Sequence, residues 1–118
     1  MLRIDLGEAR PAFAPGDEVR GSVKWARAFP PELIELKLIW TTSGRGSEDV
    51  EVVETIAFEN PELEGMRSFR LRLPDSPYSF SGKLVSLTWM LELVVRPEDA
   101  AERLTIIIAP NNKEITLQ

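Results

Sequence analysis

The segment PGDEVRGSVKW, residues 15–25, passes from a turn into a strand within four residues. Proline followed by glycine favours a turn, and the alternation that comes next is typical of a half-buried β-strand. Val19, Val23 and Trp25 would share one face of that strand. Gly21 lies on the same face, where its missing side chain allows another part of the chain to pack closely. The segment therefore predicts a strand that begins directly after a turn.

The same period of two recurs along the chain and predicts an all-β protein. Pro97–Glu102 is the only stretch that favours a helix, and it is long enough for one turn. Strands at short spacing with turn residues between them predict one domain over residues 1–118, an immunoglobulin-like antiparallel β-sandwich of seven to eight strands. The predicted strands, apart from the one that follows residue 17, cover residues 3–6, 33–41, 49–59, 66–73, 85–95, 104–109 and 114–117.

One predicted strand contains a break in its pattern. Between Asp49 and Glu59 the predicted inner residues are Val50, Val52, Ile56 and Phe58, but Glu54 falls on the same face. A carboxylate at a core position indicates a β-bulge or a register shift. The tryptophans, by contrast, all fall on inner faces, which predicts core packing for them rather than an exposed carbohydrate platform. They are Trp25, Trp40 and Trp89.

Two stretches resemble motifs of the arrestin family. Residues 15–23, PGDEVRGSV, resemble the early PGD/E-x-V-x-G-x-V segment of arrestin-type domains. Residues 73–82, LPDSPYSFSG, followed by a long strand with an aromatic residue at Trp89, resemble the LP-x-x-x-P-S-F/Y-x-G corner of the family. The two motifs stand in the family's order within an all-β chain, so the resemblance covers most of the sequence and implies a sandwich like the arrestin N-domain.

The resemblance also implies a function, which is binding rather than catalysis. Arrestin-type proteins are cargo adaptors that recognise membrane-protein tails or sorting components. Familiar arrestins pair two such domains, whereas 118 residues have room for one. The motif residues themselves shape turns and close packing, so they are expected to build the fold and not a site.

The composition excludes much of the usual enzyme chemistry. The sequence has no cysteine and no histidine, which removes thiol nucleophiles, disulfides, Cys/His zinc sites and imidazole bases. The net charge of −5 disfavours nucleic acid as a partner, because phosphate binding needs a basic surface. No window has the roughly 18 apolar residues of a membrane span, and no secretory segment is recognisable, so we expect no membrane insertion and a cytoplasmic protein.

A group of carboxylates gives the main alternative to binding. Glu48, Asp49, Glu51 and Glu54 lie close together in sequence. Paired carboxylates perform acid–base work on glycosides, so a carboxylate-dependent hydrolase or a sugar-binding module that uses Asp49, Glu51 and Glu54 is one alternative. The spacing matches no calcium-loop pattern, and Asp49 and Glu51 on a strand would share a solvated face, which favours an ordinary exposed surface.

Three arginines are candidates for contact with a partner. Arg70 and Arg72 point outward from one predicted strand and would suit an acidic or phosphorylated peptide, or simply a solvated sheet face. Arg45 stands between two glycines in the loop of residues 42–49, where its guanidinium would be prominent.

Apolar residues on nominally outward faces predict association. Ile106, Ile107 and Ile108 place apolar side chains on both faces of a late strand, which is then either buried on both sides or used as an association surface. Ile39, Val53, Met90 and Val94 add to this pattern. We therefore expect self-association or the addition of a partner strand.

These observations favour a non-enzymatic adaptor or scaffold module of arrestin-like type that binds a protein or peptide and needs no cofactor. The residues expected to contact a partner are Arg45, Asp49, Arg70, Arg72 and Ile107. Two alternatives remain, the carboxylate-dependent hydrolase or sugar-binding module and a self-assembling structural protein, for example a homodimer.

Overall fold

The computed structural model describes residues 1–7, 11–44, 46–82, 84–98, 100–110 and 115–116. Within these residues the regular structure consists of β-strands, three of which have only two residues. They are β1 (Leu2–Asp5), β2 (Ala12–Phe13), β3 (Glu18–Ala26), β4 (Leu33–Gly44), β5 (Ser47–Glu59), β6 (Glu64–Arg72), β7 (Phe80–Ser81), β8 (Ser86–Arg96), β9 (Ala100–Ile108) and β10 (Ile115–Thr116). The all-β prediction is confirmed, with the short strands raising the number beyond seven or eight.

The strands form two sheets that pack face to face. The small sheet has the order β1-β3-β6, with antiparallel pairing on both sides of β3. The large sheet has β4 and β8 at its centre, β5 beside β4, and β9 beside β8. β2 pairs with β9 in parallel, β7 pairs with one end of β8, and β10 pairs with β7. This is the predicted β-sandwich.

The core lies between the two sheets and follows the alternation of the sequence. Trp25 and Trp89 are fully buried, and Trp40 packs partly buried against the same cluster. The predictions for the tryptophans are thus confirmed. The buried apolar residues are Val19, Val23, Trp25, Ile34, Leu36, Leu38, Phe58, Phe69, Leu71, Leu73, Leu87, Trp89, Leu91, Leu93, Val95, Ile106 and Ile108.

The LPDSPYSFSG corner is fixed to the core by hydrogen bonds. Trp89 Nε1 donates to the Pro77 carbonyl oxygen at 2.9 Å. The Ser79 amide donates to the Ile108 carbonyl oxygen at 2.7 Å, and the Ser79 hydroxyl accepts from the Ile108 amide at 3.0 Å. Ser79 is the buried polar residue of this corner, 1% exposed. Its two bonds tie the corner to β9, which agrees with a structural role for the motif.

The helical turn predicted for Pro97–Glu102 is wrong. β9 begins at Ala100 and pairs with β8 from Val95↔Ala100 to Trp89↔Ile106. A ladder of inter-strand hydrogen bonds over seven residue pairs outweighs the helix propensity of a few residues, which is a small contribution per residue.

The break predicted at Glu54 is confirmed as a register shift between β4 and β5. Leu38 pairs with Glu54, but the next residue, Ile39, pairs with Val52, so Val53 is an extra residue on β5. A bulge of this kind reverses the alternation, so residues 48–52 of β5 face the opposite side from the one that an unbroken strand would give them. This shift decides the surface chemistry of the first half of β5.

The prediction that Val50 and Val52 face the core is wrong for this reason. Beyond the bulge, Val52 pairs with Ile39 on the outer face of the large sheet, and Val50 pairs with Thr41. Val50 is 53% exposed and Val52 49% exposed. Ile56 and Phe58 lie on the C-terminal side of Val53 and keep the predicted inner orientation, with Phe58 buried.

The predicted outer apolar groups are only partly accessible. Ile39 is 2% exposed and Val94 is also buried, while Met90 is half-buried and Val53 is exposed. Ile39 and Val94 lie on the two central strands, where neighbours on both sides cover them. Of these four residues, Val53 on the edge strand β5 is thus the exposed one, and Val50 and Val52 of the same strand are exposed with it.

Candidate functional site

The candidate site is the free side of β5, the longest of the described strands with 13 residues. β5 pairs with β4 along one side, from Leu33↔Glu59 to Gly44↔Ser47. Within the described part of the chain no strand pairs with its other side. Residues 48–55 are all exposed. We call the free side of residues 47–54 the β5 edge.

The bulge gives the β5 edge two chemically different faces. Asp49 pairs with Thr42, Glu51 with Trp40 and Glu54 with Leu38, so these three carboxylates share the face that continues the inner side of the sheet. Val50 and Val52 share the other face. Three of the four predicted carboxylates, Asp49, Glu51 and Glu54, are thus brought together on one face and are exposed as expected, while Glu48 lies on the opposite face with the valines.

The geometry around the carboxylates is that of an open surface. Asp49, Glu51 and Glu54 are exposed on an edge strand. Among the described residues, no group of three acidic side chains is arranged to hold a metal ion. The concave surface next to the bulge is lined by Gly16, Val53, Arg72, Leu73, Pro74 and Asp75, and none of the three carboxylates belongs to it.

Arg70 and Arg72 lie where the sequence predicts, exposed on β6 at the border of the small sheet. Arg70 stands directly opposite Arg20 of β3, and Arg72 opposite Glu18. Arg72 Nη1 donates to the Gly16 carbonyl oxygen at 3.2 Å, which ties it to the turn of the first motif. The predicted outward orientation of Arg70 and Arg72 is therefore confirmed, and Arg20 joins them in what we call the basic face, which also carries Glu18.

Arg20 is the residue of this basic face that the sequence interpretation missed. The depression beside it is lined by Arg20, Gly21, Ser68, Phe69 and Arg70. Arg20 also forms an ion pair with Glu18, and this hydrogen bond lowers the pKa of the Glu18 carboxyl. The outward alternation of β3 contains the signal for Arg20, but its position opposite Arg70 follows only from strand pairing.

Two more residues, Arg45 and Ile107, are predicted to contact a partner. Arg45 lies outside the described residues. Ile107 is half-buried, and its amide donates to the Pro11 carbonyl oxygen at 3.0 Å while β2 pairs with β9 at this position. β2 thus occupies the side of β9 at Ile107, so this position is not an open strand edge.

A cluster at the β6 end of the sandwich combines aromatic and charged groups. Trp25 Nε1 donates to the Glu62 carbonyl oxygen at 2.8 Å, and the Arg67 guanidinium lies over the Trp25 ring, 5.7 Å from its centroid. Arg67 Nη2 donates to Glu62 Oε1 at 2.6 Å. This hydrogen bond is the main cause that lowers the pKa of Glu62 below its ordinary value of 4.5. Through Glu62, these contacts tie the connection between β5 and β6 to the buried Trp25.

Arg67→Gln is expected to raise the pKa of Glu62 toward 4.5 because it removes the charged donor. Since the folded-state pKa is the lower one, the ion pair contributes stability above pH 4.5 and loses it as the pH falls through the folded-state value. An NMR titration of the side-chain carboxyl carbons checks this. The pKa of Glu18, whose partner is Arg20, should not change, and an unchanged Glu62 would contradict the assignment.

The described residues contain no helix with the length and apolar character that crossing a membrane requires.

The two packed sheets, the PGD turn and the LPDSPYSFSG corner define an arrestin-like β-sandwich. The same fold occurs in the crystal structure of Spo0M, a sporulation control protein from Bacillus subtilis. The TM-score is 0.62 at 20% sequence identity, with 92% of this chain and 49% of Spo0M covered. The chain therefore spans about half the length of that protein. No family model and no curated protein matches the sequence.

Proposed function

We propose that this protein is a non-enzymatic, cytoplasmic binding module of arrestin-like type that adds an extended segment of another protein to an open sheet edge. The observation that carries the proposal is the β5 edge, a long exposed strand with one unpaired side among the described residues. Such a strand offers a row of backbone donors and acceptors, and strand addition to it supplies affinity through main-chain hydrogen bonds.

The chemistry of the surface supports binding rather than catalysis. The chain has neither histidine nor cysteine, and its carboxylate group lies on an exposed strand face. A glycoside hydrolase holds its two carboxyl groups on either side of a bound sugar, which an open edge strand does not do. The fold shared with a sporulation control protein is compatible with a regulatory role for such binding.

The arginines would then tune specificity. Arg70 and Arg72 lie on β6 at the border of the small sheet, and in the sequence Arg45 falls between the last residue of β4 and the first of β5. Guanidinium groups near a bound segment select acidic side chains by bidentate hydrogen bonds. In this proposal they act on the partner beyond the paired strand.

The proposal is tested by selecting peptides from a random phage-displayed library on the immobilised chain. We expect enriched sequences that bind with micromolar affinity by calorimetry and that shift backbone amide signals along a sheet edge in NMR spectra. Enrichment of nothing, or shifts confined to the sandwich interior, would contradict the proposed function.

Light scattering on a size-exclusion column tests the same surface for self-association. A monomer of 13.3 kDa at all loading concentrations is expected if the edge is reserved for another protein. A stable species of twice that mass would instead favour the self-assembling alternative.

A further inference from the structure

We propose that the β5 edge binds an extended protein segment in which basic and apolar residues alternate. This inference rests on the proposed function and deepens it, since it names the edge and the chemistry of the partner. It follows from three features of β5, which are its unpaired side, its charge and the sorting of its side chains by the bulge.

The length and composition of β5 make its edge suited to pairing. Natural edge strands are commonly protected by charged side chains, especially lysine, by proline, by β-bulges or by being very short. β5 has 13 residues and contains neither proline nor lysine, and its protection against neutral or acidic strands consists of its carboxylates and the bulge at Val53. Its exposed positions include three valines, Val50, Val52 and Val53. The backbone and the apolar side chains are thus both available to an incoming strand.

The charge of β5 selects a cationic partner. Residues 47–59 contain five carboxylates and no basic residue. Among the described residues, none of these carboxylates forms an ion pair. Alternate side chains of a strand are roughly 7 Å apart, which is less than the Debye length of about 8 Å at physiological salt, so their potentials add.

The same charge disfavours β5 of a second copy as the occupant. Antiparallel pairing of two β5 strands would place carboxylates beside carboxylates, and like charges directly opposite each other destabilise a sheet. Lysine or arginine beside Asp49 and Glu51 instead forms favourable cross-strand pairs. The occupant is therefore a basic segment of another protein.

The bulge specifies that basic and apolar residues of the partner alternate. Asp49, Glu51 and Glu54 lie on one face of the edge, and Val50 and Val52 lie on the other, with Glu48 at the end of that second face. Successive side chains of an incoming strand also point to opposite faces. Its basic residues would then lie beside the carboxylates while its apolar residues extend the row that Val52 forms with Ile39 and Met90.

Calorimetry with a capped heptapeptide that alternates lysine with valine tests the inference. We expect wild-type protein to bind it, with an affinity that falls as salt is added. A peptide that alternates glutamate with valine should not bind. The lysine–valine peptide with alternate backbone nitrogens methylated should lose most of its affinity, because it lacks the donors needed for strand pairing.

The test variant is Asp49→Lys/Glu51→Lys, and its matched control is Glu48→Lys/Glu59→Lys. Both change the net charge equally on the same strand, but Glu48 and Glu59 lie on the opposite face from Asp49 and Glu51. We expect the test variant to weaken binding by about two- to thirtyfold, the range that the loss of two cross-strand charge pairs gives. The control should weaken it by much less.

Equal weakening by both variants, or full binding of the methylated peptide, would overturn the inference in favour of unspecific charge attraction. NMR with unmodified protein gives a readout that does not depend on variant folding. Amide shifts must centre on residues 47–54, and shifts centred on β6 would overturn the assignment to β5. If the library yields other peptides while the lysine–valine peptide fails to bind, the inference fails but the proposed function stands.

Discussion

Trp89→Ala is expected to lower the free energy of unfolding by about 3–5 kcal/mol, as large aromatic deletions in a core do. Trp89 is 0% exposed at the centre of the large sheet, between Trp40 on β4 and Ile106 on β9. Its loss leaves a cavity between the sheets and also removes the hydrogen bond from Nε1 to the Pro77 carbonyl oxygen. Since small domains are stable by only about 5–15 kcal/mol, the effect is a large fraction of the total. Chemical denaturation measures it.

Trp89→Phe separates packing from the hydrogen bond. Phenylalanine retains most of the ring but leaves the Pro77 carbonyl oxygen without its donor, so we expect a smaller loss, about 1–3 kcal/mol. Exposed Leu84 supplies a surface control, because Leu84→Ala should change stability by less than about 0.5 kcal/mol. Equal effects of Trp89→Ala and Leu84→Ala would contradict the placement of Trp89 in the core.

Gly21→Val is expected to destabilise the protein by about 1–3 kcal/mol through overpacking. A Cβ atom at Gly21 would lie 2.5 Å from the Asp5 carbonyl oxygen and 2.6 Å from Leu6 Cδ2. Because one of these atoms belongs to the backbone of β1, a side-chain rotation cannot relieve the contact, and β1 must move. Chemical denaturation gives the stability change, and hydrogen exchange should show the largest loss of protection in β1.

The control for Gly21 is its neighbour Ser22 on the same strand. Ser22 points to the outer face of the small sheet, where it pairs with Asp5 and Ser68. Ser22→Val adds the same kind of side chain on the solvent side and should change stability by less than about 0.5 kcal/mol. If the two variants were equally stable, the close approach of β1 to Gly21 would not exist in solution.

Much of the architecture follows from local pattern. The alternation in β3, β6 and β8 assigns their inner faces correctly, because each of these strands keeps one register along its length. Gly21 in the first motif also has the predicted role, since β1 packs closely against it. The helical turn at Pro97 failed because local propensity is weaker than the pairing of β8 with β9.

The candidate site shows most clearly which features follow from the sequence and which depend on strand pairing. The residue types were predictable, since the acidic group, the valines and the misplaced Glu54 are all visible in the sequence. Their arrangement depends on pairing, because one extra residue at Val53 reverses the faces of every residue from Val52 back to Glu48.

The sequence by itself therefore determined the all-β class, the core faces of the regular strands and the lack of imidazole and thiol chemistry. Only the tertiary structure decided that Arg20 lies opposite Arg70, that β2 occupies the side of β9 at Ile107, and that β5 has an open side. The physical reason is that alternation along a strand is a local property, whereas register and edges depend on which strands form hydrogen bonds with one another.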